Sequence, residues 1–200
     1  MDRRTLLLSL PVLALLPRTA QAAPIPLADL SRYLNALTTA EADFTQINGD
    51  GTISSGRLFI HRPGRARFEY APPDRTLVMA GGGEVAIFDA KSDGPPESYP
   101  LSRTPLNLIL AQNVDLGRAR MVVGHREVQG TTRVRAQDPD NPDYGSIELV
   151  FTANPTELRQ WIIRSDNGET TVILGEMKKG GRYSSVLFNV GLETDRRSGR

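Results

Sequence analysis

The chain has 200 residues, with 24 Lys and Arg against 23 Asp and Glu, and no cysteine. So even a balance gives no electrostatic reason to expect nucleic acid, which rewards a basic face. Without cysteine there is no disulfide, no thiolate nucleophile, no zinc–thiolate site and no N-terminal cysteine to acylate.

Arg3 and Arg4 precede the apolar run Leu6 to Leu16, and Ala20-Gln21-Ala22 offers small residues at both cleavage-determining positions. Residues 1–22 therefore read as a cleaved export signal. The apolar run is well short of the ~20 residues a membrane-spanning helix needs, so it is read as removed and not retained as an anchor. Arg3-Arg4-Thr5-Leu6-Leu7 is compatible with twin-arginine export as well as the general secretory route, and the sequence leaves that choice open. Cleavage removes Arg3, Arg4, Arg18 and Asp2, leaving 21 basic against 22 acidic residues. The remainder suits one domain over 23–192 with a sizeable core, followed by a flexible tail over 193–200.

Leu27, Leu30, Tyr33, Leu34 and Leu37 have the spacing of one helical face, which turns Asp29, Ser31, Arg32 and Asn35 away from it. From Phe44 the pattern becomes short alternating or β-branched runs separated by turn residues. It predicts strands near 42–48, 51–61, 65–70, 75–80, 84–89, 97–100, 119–128, 131–137, 145–153, 158–165, 169–177 and 184–190. Between them, Thr104 to Gln112 predicts a short helix, with Thr104 as its cap and Pro105 at its first position. Leu106, Leu108, Ile109 and Leu110 cover most of its circumference, so it belongs between layers or over a cavity. Many alternating strands with only two short helices to cover them imply a sheet that curls. The expected fold is mainly β (α+β): a single curved antiparallel sheet forming an unclosed half-barrel, with a helical lid over its concave apolar face. The same residues could equally make a filled core, and composition does not choose between core and cavity.

Catalytic machinery is hard to find. His61 and His125 fall in predicted strands, with no second histidine or carboxylate at metal-ligand spacing. There is no nucleophile elbow, phosphate loop or dinucleotide fingerprint, and Gly81-Gly82-Gly83 reads as a hairpin turn. Asp138-Pro139-Asp140-Asn141-Pro142-Asp143 lacks the glycine and terminal glutamate of a calcium loop. Trp161, amid Leu158, Ile162 and Ile163, fits packing better than cofactor stacking. No enzyme, cofactor or metal is expected.

Three ordered stretches carry a resemblance: Ala42-Asp43-Phe44-Thr45-Gln46, Gly56-Arg57-Leu58-Phe59-Ile60-His61-Arg62-Pro63-Gly64 and Arg67-Phe68-Glu69-Tyr70-Ala71-Pro72-Pro73. With Leu77-Val78, Glu84 to Asp89, Tyr99-Pro100-Leu101 and Thr104-Pro105-Leu106, they make the chain resemble the LolA-type periplasmic lipoprotein carriers. The resemblance implies an unclosed barrel with a helical lid, a greasy interior that takes up acyl chains, and no catalysis. It implies a monomeric periplasmic protein whose partners are acylated lipoproteins, an inner-membrane ABC-type release complex and, where one exists, an outer-membrane receptor. Arg62 matches the family's arginine that holds the empty carrier's lid shut. The pocket is then expected to draw on Leu58 and Ile60, on Ala66, Phe68 and Tyr70, on Leu30 and Leu34 of the first helix, and on Leu106, Ile109 and Leu110 of the lid. Which strand face points inward is not evident from the sequence. The alternative is a related half-barrel that carries another lipid or senses the state of the envelope.

Overall fold

The computed structural model describes residues 23–200 apart from positions 93, 167 and 200, so the predicted export signal lies outside it. Alternation of apolar and polar residues produces twelve strands: β1 (Thr39–Ile47), β2 (Ile53–His61), β3 (Arg65–Tyr70), β4 (Leu77–Gly81), β5 (Glu84–Phe88), β6 (Glu97–Pro100), β7 (Val122–Val128), β8 (Thr131–Gln137), β9 (Ser146–Thr152), β10 (Glu157–Ser165), β11 (Gly168–Leu174) and β12 (Lys178–Lys179). They form one sheet in the order β6-β5-β4-β3-β2-β1-β11-β10-β9-β8-β7, with β12 beside β1, and every pairing is antiparallel. β6 and β7 end the sheet without pairing to each other, which leaves it unclosed.

Gly56 is a point of close approach between strands. A Cβ there would collide with the Glu69 carbonyl on β3 and press on the Phe44 ring on β1, so only glycine lets these strands coil so closely. The inner face holds α1 (Leu27–Ala36), whose Leu30 and Leu34 are fully buried. It also holds a chain segment that runs from a 3₁₀ turn, Leu101–Arg103, through α2 (Leu106–Leu110). Leu101 donates its N–H to the Gly83 carbonyl in the β4–β5 hairpin, while Ser102, Arg103 and Thr104 line a pocket together with Met121, Ala136 and Gln137 at the β7–β8 side. The segment therefore lies across the inner face between the two free edges. Thr104 does not cap α2 as expected. Pro105 takes the cap position, and the Thr104 hydroxyl donates back to the Leu101 carbonyl at 2.9 Å.

The C-terminus departs from expectation. In place of a strand over 184–190 there is a 3₁₀ turn, Ser185–Phe188, and in place of a flexible tail from 193 the chain continues as α3 (Val190–Arg197). Asn189 caps that helix, its side chain accepting the Leu192 N–H at 2.9 Å. Val190 packs with Leu77, Met79, Ala86 and Phe88 as a second, smaller cluster on the outer face. Glu193 is nearly buried there and pairs with Arg196 (2.6 Å), Arg197 (2.9 Å) and the buried Arg67 of β3 (3.5 Å).

Candidate functional site: the concave face and its lid

All ten pocket residues expected from the sequence meet in one cluster. Leu30, Leu34, Leu58, Ile60, Ala66, Phe68, Ile109 and Leu110 are buried in it, and Tyr70 and Leu106 pack at its margin. The register explains the strand contribution. Leu58 pairs with Phe68 and Ile60 with Ala66, so both strands turn these side chains to the same, inward face. The choice between core and cavity has a mixed outcome. Ile109 and Leu110 of α2 are buried in the concavity among the side chains of the sheet and α1. Beneath Thr104, Pro105 and Leu106 a cavity of about 200 Å³ remains, lined chiefly by Phe68, Tyr70, Val78, Trp161 and Ile163. Trp161 is both packing and wall: its indole meets the Phe68 ring edge-on at 6.1 Å.

Arg62, just beyond the end of β2, holds the far end of the lid. Its Nη2 donates to the Ala111 carbonyl at 2.5 Å and to Asn35 Oδ1 at 3.3 Å. The next turn adds a backbone bond, from the Gly64 N–H to the Leu110 carbonyl at 2.8 Å. Arg62 is only 8% exposed, and its buried Nε finds no partner. Burial lowers the guanidinium's pKa, yet arginine stays charged at any physiological pH. Short bonds from a charged donor to carbonyl oxygens are the strong class of hydrogen bond.

Ser31 and Asn35 were expected on the wet side of α1, and the structure engages both. Asn35 grips the backbone of Val114 like a neighbouring strand: Nδ2 donates to its carbonyl (2.8 Å) and Oδ1 accepts its N–H (2.9 Å). One turn earlier, Ser31 Oγ accepts the Leu116 N–H (2.9 Å) and donates to the Leu27 carbonyl (2.7 Å). The loop after α2 covers this side of the helix because Val114 and Leu116 are themselves buried. That apolar alternation is the signal that points to a covered helix. The lid is thus tied to both the sheet and α1.

The remaining candidates have plain structural settings. His61 packs against the Phe188 ring at 5.6 Å, with its pKa lowered by burial and then by the charge of Arg65. His125 Nε2 lies 2.9 Å from the Ile25 carbonyl. Among the described residues no group of three or more His, Cys, Asp or Glu side chains could hold a metal ion.

The family model described as outer membrane lipoprotein carrier protein LolA matches residues 35–190. The chain belongs to the LolA family. A protein of Chromobacterium violaceum named outer-membrane lipoprotein carrier protein is 27% identical over 177 residues, covering 84% of each chain. An uncharacterized protein of Rickettsia prowazekii is 23% identical over 167 residues, covering 82% of this chain and 76% of its own length. Among solved structures, a LolA superfamily protein of Nitrosomonas europaea superposes with a TM-score of 0.45 at 8% identity, covering 82% of this chain and 98% of that one. Membership in the LolA family agrees with the unclosed sheet and internal helices described above. No helix among the described residues is long and apolar enough to cross a membrane.

Proposed function

We propose that this protein is a periplasmic carrier that shields the acyl chains of lipoproteins released from the inner membrane and delivers them toward the outer membrane. The observation that supports it most is a greasy concave face covered by a segment to which a buried arginine donates, Arg62 to Ala111. Burying an acyl chain of ~16 carbons is worth on the order of 12 kcal/mol, so such a chain does not cross water unshielded. The cavity of about 200 Å³ is below the ~300–1,000 Å³ common for small-ligand pockets, so a whole chain enters only if the lid moves. Arg62 is then the latch, and the ten clustered side chains form the surface uncovered when it opens. Acylated lipoproteins are the cargo on this reading, with an ABC-type release complex as donor and an outer-membrane receptor as acceptor.

The reading is tested with a lipoprotein and its release complex reconstituted in vesicles. Mature protein added with ATP should move the lipoprotein from the vesicle pellet into a soluble one-to-one complex. Lipoprotein that stays in the pellet at saturating carrier would defeat the proposal. Recovery of the carrier with phospholipid alone would favour a half-barrel serving another lipid.

A further inference from the structure

The cavity under Leu106 has an apolar floor and, on the sheet side, a polar rim. At the ends of β1 and β3, Tyr70 donates its hydroxyl to Gln46 Oε1 at 2.7 Å, and Gln46 Nε2 donates to Asn48 Oδ1 at 2.6 Å. The chain of bonds continues from Asn48 Nδ2 to Thr52 Oγ1 (2.9 Å) and Ser54 Oγ (3.4 Å). From Ser54 Oγ it reaches Asp74 Oδ2 at 2.9 Å, and Thr76 Oγ1 donates to Asp74 Oδ1 at 2.6 Å. Only two members of this belt, Gln46 and Tyr70, line the cavity, where Phe68, Val78, Trp161, Ile163 and Val172 are their apolar neighbours.

The belt fixes which way the Gln46 amide points. Its oxygen is committed to Tyr70 and one N–H to Asn48. A glutamine amide carries two N–H donors, so one remains uncommitted to protein at the boundary between the apolar cavity and the rim. A molecule seated with its hydrocarbon tail inside places its first polar atoms at that boundary. For an acyl ester those atoms include a carbonyl oxygen, which needs a donor once it leaves water.

We infer that Gln46 is an ester-recognition subsite, its free N–H donating to the carbonyl at the head of a seated acyl chain, with Tyr70 as the positioning residue that orients the amide. This rests on the acyl-chain reading of the concave face and adds a polar determinant to it. It means that the groove distinguishes an acyl ester from a plain hydrocarbon of equal length.

The test compares two fluorescent probes, a pyrene-labelled fatty-acid methyl ester and a pyrene-labelled alkane of the same carbon count, on the mature protein. Gln46→Leu should weaken ester binding about fivefold, the central effect of one net neutral hydrogen bond, and leave the alkane within about twofold. Tyr70→Phe keeps the ring and should shift the ester-to-alkane ratio in the same direction by a smaller factor. Equal changes for both probes in Gln46→Leu would overturn the subsite and leave the greasy groove standing. Failure of the wild-type protein to bind either probe would instead bring down the acyl-chain reading, and the subsite with it. The diacylglyceryl group of a lipoprotein and a phospholipid both carry such esters. Repeating the comparison with a diacylglyceryl-cysteine peptide and with a short-chain phosphatidylglycerol separates these sources. The ligand whose binding Gln46→Leu weakens is the one whose ester seats there, and weakening of neither overturns the assignment.

Discussion

Arg62→Leu is the most direct perturbation of the lid. It deletes the 2.5 Å bond to the Ala111 carbonyl and the longer one to Asn35 Oδ1, and it leaves the Gly64-to-Leu110 backbone bond in place. A hydrogen bond from a charged group contributes about 1.5–3 kcal/mol, and every 1.4 kcal/mol is tenfold in an equilibrium constant. The open population should therefore rise roughly tenfold to a hundredfold. Leucine fits a site that is 8% exposed, and the unpartnered Nε vanishes with the guanidinium, so global stability should fall by no more than about 1.5–3 kcal/mol, the amount lost from the closed state. Hydrogen exchange at the Gly64 amide reads the effect, because its acceptor is the lid carbonyl of Leu110. Exchange there should accelerate by that factor while the amides of β9 and β10, which need wider unfolding, stay the better protected. Loaded cargo should bind more tightly and transfer more slowly to an acceptor, since closure no longer competes with it. Unchanged Gly64 exchange together with unchanged transfer would refute the latch.

Asn35→Ala removes both bonds to the Val114 backbone and one acceptor for Arg62. The Val114 amide should lose protection, with a stability loss of about 1–2 kcal/mol in urea denaturation. Gly56→Ala sets a methyl group against the Glu69 carbonyl and the Phe44 ring. It should cost about 1–3 kcal/mol or more, visible as a lower urea midpoint. Glu193 sets a pH dependence. Burial alone would raise its pKa, but hydrogen bonds from Arg197 and Arg196 and the charge of Arg67 outweigh it, so the folded pKa lies below the ordinary 4.5. A depressed carboxyl contributes stability above its unfolded pKa and loses it as pH falls through the folded value. Melting temperatures should thus drop on acidification below about pH 4.5 in the wild type, and less steeply in Glu193→Gln. Parallel curves for the two proteins would show that the α3 cluster contributes nothing to acid sensitivity.

Most strands were legible because period-two alternation survives in strands such as β1, β2 and β8, and turn glycines such as Gly82 and Gly83 mark the hairpins; the two-residue β12 carries no such pattern and was missed. The wrongly expected strand is instructive. Val186-Leu187-Phe188 is a short apolar run, and periodicity over so few residues does not separate a strand from a helical turn. The Asn189 cap was the stronger signal, since it starts α3 and keeps the chain ordered through Arg197. Ser31 and Asn35 were misplaced for a different reason. Helical periodicity tells which side of α1 is apolar, but the loop covering its polar side lies 85 and 79 residues further along the chain. The importance of Arg62 came from family resemblance alone, because nothing local distinguishes it from Arg57 or Arg65. Gln46 had no signal, since a polar residue at the end of an inward-facing alternation looks like ordinary fraying toward solvent.

The filled concavity has a consequence for delivery on the proposed reading. Ile109 and Leu110 occupy the space that cargo would use, and fully burying such a side chain is worth about 1.5–3 kcal/mol. Two of them contribute about 3–6 kcal/mol to closure, and the Arg62 bonds add a comparable smaller share. The empty protein is therefore its own competitor for the greasy surface. A loaded carrier gains from the acyl chain and forfeits the lid, so the difference, not the full transfer energy, sets how firmly it holds. Making the lid less greasy should upset this balance in the same direction as opening the latch. Leu110→Ser weakens closure without touching Arg62, and it should retain cargo longer when presented with acceptor vesicles. Faster release from Leu110→Ser would mean that the lid grips cargo, and the competition argument would fail.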